Sequence, residues 1–157
     1  MKNISCCFTG HRDIPRNKYP EIAGMLYNEI ITLIEKGYTH FFAGGALGFD
    51  TLAAETVLAL KKDYPEIKLH IIIPCKNQTR GWREEDIIKY NEIKELADFT
   101  ECLSPIYYDG CMQARNRYMV DHSSVCIAYL TRLSGGSAGT VRYAEKNGVQ
   151  VINLSGK

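Results

Sequence analysis

The 157 residues predict an α/β fold in three layers, a mostly parallel sheet flanked by helices. Two patterns carry that expectation. Short apolar runs alternate with longer segments of helical period from one end of the chain to the other. One run, residues 67–73, is continuous rather than alternating, as befits a strand buried on both faces in the middle of a parallel sheet.

Each element follows from its local pattern. Residues 4–8 form a short apolar run that leads into Thr9-Gly10-His11-Arg12 and a turn containing Pro15. Over residues 20–36 apolar side chains recur at Ile22, Met25, Leu26, Ile30, Leu33 and Ile34, one face of a helix, and Gly37 is a stop signal. Residues 40–43 read as a second strand, ended by Gly44-Gly45-Ala46-Leu47-Gly48. Asp50 or Thr51 is expected to cap the next helix, whose stripe is Leu52, Ala53, Val57, Leu58 and Leu60. The strand at 67–73 closes at Pro74, and a polar loop at 77–83 holds the only tryptophan, Trp82. Residues 84–96 read as a helix burying Ile87, Ile88, Ile93 and Leu96, and a weaker strand covers 98–103. Beyond Tyr107-Tyr108-Asp109-Gly110 come a helix at 111–122 and a strand at 125–130. A Gly/Ser-rich loop at 131–137 precedes a helix at 140–147, stopped by Gly148, and the last strand is 149–154. No repeat or linker divides the chain, so residues 1–157 are expected to form one domain. Strands alternating with helices require right-handed crossovers over both sheet faces, a Rossmann-like arrangement; the strand order stays open.

Composition narrows the function. With 19 basic and 18 acidic residues the formal charge is +1, so nothing points to a global polyanion binder, and there is room for a local basic site. No apolar run approaches the ~20 residues of a membrane helix, and Met1-Lys2-Asn3 leads to the first strand without a signal-peptide cleavage pattern. The six cysteines (6, 7, 75, 102, 111 and 126) include no C-x-x-C pair, and His11, His40, His70 and His122 are scattered. The expectation is a cytoplasmic protein with reduced structural thiols, no metal, no cofactor and no membrane partner.

In an open α/β sheet, ligands bind beyond the carboxyl ends of the strands, near the point where strand order reverses. Three glycine-bearing loops stand there, each feeding a helix: Thr9-Gly10-His11-Arg12, the loop from Gly44 to Asp50, and the loop from Ser134 to Thr140. Glycine lets backbone approach an anion closely, and the N–H groups of the following helix donate to it. Neither G-x-G-x-x-G nor G-K-[ST] is present, which sets aside nicotinamide dehydrogenases and P-loop NTPases. Arg115 shares a helix face with Met119 and can line the pocket, while Arg117 points elsewhere. Trp82 either stacks on a nucleobase or caps a helix end. Tyr107 and Tyr108 are further candidates to meet a base or ribose.

The loop after the second strand, the Ala114-Arg115-Asn116-Arg117 helix and Gly135-Gly136-Ser137-Ala138-Gly139-Thr140 together resemble the SLOG superfamily. That group joins the Lonely-Guy nucleotide hydrolases, the DNA-processing DprA proteins and other Rossmann-like families. Phe8-Thr9-Gly10-His11-Arg12 and the segment through Trp82 are most similar to its YspA/YpsA-like branch, and the resemblance runs from about residue 4 to residue 154. It implies a nucleotide or nucleotide-derived ligand over the Gly-rich loops. Met112, Arg115 and Met119 match the Met-x-x-Arg-x-x-x-Met helix of the hydrolases, whose arginine belongs to their active site. Their Pro-Gly-Gly-x-Gly-Thr-x-x-Glu motif does not carry over. Ser134 stands for the proline, an extra residue precedes Gly139, and Tyr143 occupies the place of the catalytic glutamate. Glu145 lies two residues on, roughly 200° round the helix.

Three functions follow, in descending order. The first is a binding module, a sensor or sequestering protein rather than an enzyme, for a nucleotide or nucleotide-derived ligand. Its expected contacts are Thr9, Gly10, His11, Arg12, Gly44, Gly45, Gly48, Asp50, Trp82, Arg115, Asn116, Gly135, Gly136, Ser137, Gly139 and Thr140. The second is an N-glycosidic phosphoribohydrolase of the Lonely-Guy type, with Arg115, Asp50 and Glu145 as catalytic candidates and Glu55 and Asp121 behind them. The third is single-stranded DNA binding of the DprA type, against which the lack of a Lys/Arg cluster weighs. Self-association through apolar helix surface is also expected. The first reading requires the turns at Ala46 and Ser137 to share one pocket.

Overall fold

In the computed structural model, which describes residues 1–156, a 3₁₀ turn at Lys2–Ile4 precedes six strands and five helices. They run β1 (Ser5–Gly10), α1 (Tyr19–Glu35), β2 (His40–Ala43), α2 (Phe49–Leu60), β3 (Lys68–Ile73) and α3 (Glu84–Leu96). Then follow β4 (Phe99–Cys102), α4 (Cys111–Asp121), β5 (Val125–Tyr129), α5 (Gly136–Lys146) and β6 (Gln150–Asn153). Every strand pair is parallel, so the sheet is wholly rather than mostly so, in the order β4-β3-β2-β1-β5-β6.

That order fixes the layers. The chain steps outward from β1 to β4, then returns to lay β5 on the other side of β1. Crossovers of one hand must change sheet face when the strand order reverses. Accordingly α1, α2 and α3 pack with Cys6, Phe8, Phe41, Leu69, Ile71 and Ile127 on one face. The helices α4 and α5 pack with Cys7, Phe42, Ile72 and Cys126 on the other. The reversal lies between β1 and β5, which stay paired to Gly10 and Tyr129, and the loops that leave their carboxyl ends diverge around the crevice that such a reversal opens. Among the described residues no helix is long and apolar enough to cross a membrane.

Local signals explain most boundaries. Pro20 lies in the first turn of α1, and Glu21 complements the helix dipole there. The helix ends in a Schellman motif, with Gly37 N–H donating to Ile34 O and Tyr38 N–H to Leu33 O, both at 3.0 Å. Gly148 closes α5 in the same way, with Val149 N–H donating to Ala144 O at 2.9 Å.

Several expectations are corrected. The N-cap of α2 is Gly48, without a side-chain capping bond; Asp50 is buried inside the first turn and Thr51 donates to Ala46 O at 3.0 Å. The strand at 68–73 is interior but not central, since β2 and β1 hold the middle. Of the apolar residues expected to be buried by α3, Ile88 and Leu96 are 51% and 65% exposed, and the helix instead buries Tyr90 with Ile93. The last helix begins at Gly136, four residues before Thr140, so Gly139 and Thr140 belong to α5 and not to the loop before it.

Candidate functional site

The floor of the β1–β5 crevice is assembled from close backbone packing. Gly10 ends β1 directly against the Phe49 ring, where a Cβ would collide. Gly44, just past β2, lies under the Arg115 guanidinium and the Asp50 carboxylate, again without room for a Cβ. Two of the glycines read as anion contacts are therefore required by the protein's own packing. Gly48 combines positive φ (77°) with a backbone approach to Arg12.

Arg115 is 4% exposed. Its Nη1 donates to the Gly44 carbonyl and, at 3.5 Å, to Ile72 O, while its Nε donates to Asn116 Oδ1 at 2.7 Å. The guanidinium thus ties α4 to the ends of β2 and β3 beneath the crevice, and Asn116 orients it. Asp50 accepts a long bond from Ala46 N–H at 3.4 Å. Burial pushes the Asp50 carboxyl up from its ordinary range, against the opposing pull of Arg115, the Ala46 amide and Arg12. Burial likewise lowers Arg115, with Asp50 opposing. Each charge steadies the other in a place that desolvates both.

His11 joins the two loops of the crevice. Its Nε2 accepts from Thr131 N–H at 2.9 Å, and its carbonyl accepts from Phe49 N–H at 3.1 Å. An accepting Nε2 places the ring proton on Nδ1 of a neutral imidazole, consistent with the lowered pKa that burial and then Arg132 impose.

Above this floor is a cleft of about 320 Å³ lined by residues 9–13, Ala46, Asp50, Met112, Arg115, Asn116, Arg132 and residues 134–137. The turns at Ala46 and Ser137 do share one pocket. Gly135 (φ 97°) is the N-cap of α5, and the first intrahelical amide bond is Gly139 N–H to Gly135 O at 3.1 Å. The earlier amides of the helix have no intrahelical acceptor, and the positive end of its dipole faces the cleft. Arg12 and Arg132 stand exposed at the lip, with the buried charge of Arg115 below. Asp13 and Asp50 are the carboxylates that line the cleft among the described residues.

Thr9, Gly10, His11, Arg12, Asp50, Arg115, Asn116, Gly135, Gly136 and Ser137 therefore meet around one cavity, with Gly44 under it. The remaining expected residues lie elsewhere. Gly45, Gly48 and Trp82 line a smaller pocket of about 200 Å³ on the far side of the β2–α2 loop, where Trp82 meets Tyr90 edge-on at 5.4 Å. Trp82 also lines a depression with Tyr107, Arg80, Arg12 and Met112, which adjoins the cleft through the last two. Gly139 and Thr140 face a groove between α4 and α5, and the Thr140 hydroxyl donates to Gly136 O at 2.9 Å. Of the carboxylate candidates, Glu55 pairs with Lys89 at 3.3 Å, Asp121 accepts from Tyr143 Oη at 2.8 Å, and Glu145 is exposed away from the cleft. Asp13 and Arg132 are cleft residues that the motif reading passes over; each lies three residues past a strand end, a position the strand-end rule alone would have flagged.

Comparison with known proteins bears on the family and the fold. The family profile described as the YspA SLOG family matches residues 7–150. The chain is 32% identical over 128 residues to a UPF0398 protein of Staphylococcus epidermidis, covering 76% of this chain and 68% of that one. A UPF0398 protein of Staphylococcus haemolyticus is 30% identical over 138 residues, covering 82% and 74%. Among solved structures, DNA processing protein A from Helicobacter pylori is similar with a TM-score of 0.67 at 22% identity, over 96% of this chain and 64% of that one. The same protein from Streptococcus pneumoniae gives 0.68 at 16% identity, over 96% and 50%. These likenesses show the fold, and the chain spans half to two thirds of the length of those structures. The Helicobacter pylori structure is described in terms of that protein's single-stranded DNA binding mode.

Proposed function

We propose that the chain, which belongs to the YspA SLOG family, binds a nucleotide or nucleotide-derived ligand in the β1–β5 cleft, as a sensor or sequestering module. One observation carries the reading. The Arg12, Ala46 and Ser137 segments, distant in sequence, line a single polar cleft into which the amino end of α5 opens. Backbone amides at a helix start and two guanidiniums at the lip suit a phosphoryl group. The adjoining depression with Trp82 and Tyr107 offers the base a flat partner. Calorimetric titration with nucleoside monophosphates, ADP-ribose, NAD and cyclic nucleotides tests it. Binding by at least one of them, weakened by about tenfold in an Arg12→Ala/Arg132→Ala variant, is the expected result. Silence across the whole panel refutes the reading.

A second reading is supported by the same adjoining depression. Arg80, Arg12 and Arg132 border two contiguous hollows with aromatic rings at one end, an arrangement that suits a short stretch of single-stranded nucleic acid. An oligonucleotide shift assay at two salt concentrations separates the readings, because several phosphate contacts give a steep loss of affinity with salt.

A further inference from the structure

The groove between α4 and α5 is a distinct depression of about 340 Å³, walled by Arg117, Arg142 and Tyr143 and floored by Gly135, Gly136 and Gly139. Its charge is one-sided. No carboxylate lines it, and among the described residues neither arginine belongs to an ion pair. Arg117 lies over the Tyr143 ring at 5.1 Å, and Arg142 donates to Leu133 O at 3.3 Å; both side chains are exposed.

Its glycines also differ from those of the crevice floor. Gly10 and Gly44 are imposed by crowding, and Gly135 by its positive φ. Gly136 and Gly139 have neither reason: a Cβ at Gly136 would meet nothing within 4 Å, and one at Gly139 only Arg142 Nη2 at 3.8 Å. Gly139 stands inside a helix, where glycine is a poor former. Neither crowding nor backbone angle requires glycine at these two positions, and they keep the groove floor as bare backbone between two guanidiniums that belong to no ion pair.

The groove adjoins the cleft, because Gly135 and Gly136 line both. This saddle is two residues wide, at most ~7 Å of chain.

We propose that the groove is a second anion subsite, which takes the distal phosphoryl group of a ligand whose first phosphoryl group lies in the cleft. The ligand class is then a nucleotide with at least two linked phosphoryl groups, and the proposal rests on the cleft reading above. A short phosphoryl chain crossing the Gly135–Gly136 saddle meets α5 amides midway and an arginine pair at each end.

The test is calorimetry with AMP, ADP and ATP on the wild-type chain, an Arg117→Gln/Arg142→Gln variant and a Gly139→Leu variant, with Tm measured for each. The wild type should bind ATP about tenfold or more tighter than AMP. The double variant should bring the two within about twofold while AMP affinity holds. Gly139→Leu, a better helix former placed in open space, should keep or raise Tm and lose the ATP preference, which separates lost binding from lost folding. Equal affinity for AMP and ATP in the wild type, or a preference that survives both variants, overturns the second subsite alone. Silence from all three nucleotides overturns it together with the cleft reading.

Discussion

Arg115 shows how a single side chain serves the site from below. Its guanidinium bonds to carbonyls at the ends of two strands, while Arg12 and Arg132 stand exposed at the lip of the cleft. Truncating it would strand the Asp50 carboxyl, which burial already disfavours. Arg115→Ala is therefore expected to destabilise the protein by about 3 kcal/mol, since it removes the bonds to the Gly44 and Ile72 carbonyls together with the charge that favours ionised Asp50. Adding Asp50→Asn should recover part of that loss, on the order of 1 kcal/mol, in chemical denaturation. Additive losses from the two substitutions would show that the charges do not stabilise one another. Helical spacing in the sequence is enough to place Arg115 on an inward face. Its partners are not legible there, because Gly44 lies 71 residues away and only the packing of α4 over β2 brings the two together.

At the scale of elements, α3 and α5 show where pattern reading stops. Apolar residues along α3 point to Ile87, Ile88, Ile93 and Leu96, but the helix touches the core along a narrow strip through Tyr90 and Ile93. Tyr90 is easily missed because its hydroxyl is as important as its ring. It donates to Gln78 Oε1 at 2.8 Å, and Gln78 Nε2 donates to Gly44 O at 3.1 Å, linking α3 to the β2–α2 loop through a buried relay. Tyr90→Phe should cost about 1 kcal/mol by removing one donor of that relay, whereas Ile88→Lys, on the exposed face, should change stability by less than about 0.5 kcal/mol. Equal effects in denaturant titrations would contradict this division of the helix. The start of α5 is hidden for a different reason. Glycine and serine are weak helix formers, so 136–139 read as loop, and only the positive φ of Gly135 and the docking of Ala138 and Thr140 into the core set the true boundary.

For the whole molecule, the alternation of strands and helices is written along the chain, but the order of the strands is not. Crossover rules permit several orders, and the one adopted depends on which sheet faces the completed helices cover. The site depends on that order, since the crevice exists only because β5 lies beside β1. Adjacent strands create a second property of the whole sheet. His40 on β2 and His70 on β3 sit 2.9 Å apart (Nδ1 to Nε2), and His70 is stacked between Phe42 at 4.2 Å and Phe99 at 4.7 Å. Burial first, then His40, pulls His70 down from 6.5 to about 4; Asp98 and Glu101 oppose the shift and His122 adds to it. His40 is also lowered, by burial and then by the amino terminus and Lys68. A histidine lowered in the folded state binds fewer protons there than in the unfolded chain, so stability rises with pH across the interval between the two values. The contribution is complete above about pH 6.5 and drains away toward pH 4, with a loss on the order of 1–2 kcal/mol after allowance for solvent screening. Asp98 overlaps the interval only at its acid edge. Burial would raise its carboxyl, but the bonds from Lys61 and the Leu69 amide together outweigh that and lower it from 3.8, so its own contribution is lost as pH falls through that value. Denaturant titrations at intervals from pH 7 to pH 4 should show the decline, and His70→Phe, which retains the ring stack but cannot titrate, should flatten it. An unchanged slope in that variant would assign the acid sensitivity to groups other than His70, the lowered His40 and His11 among them.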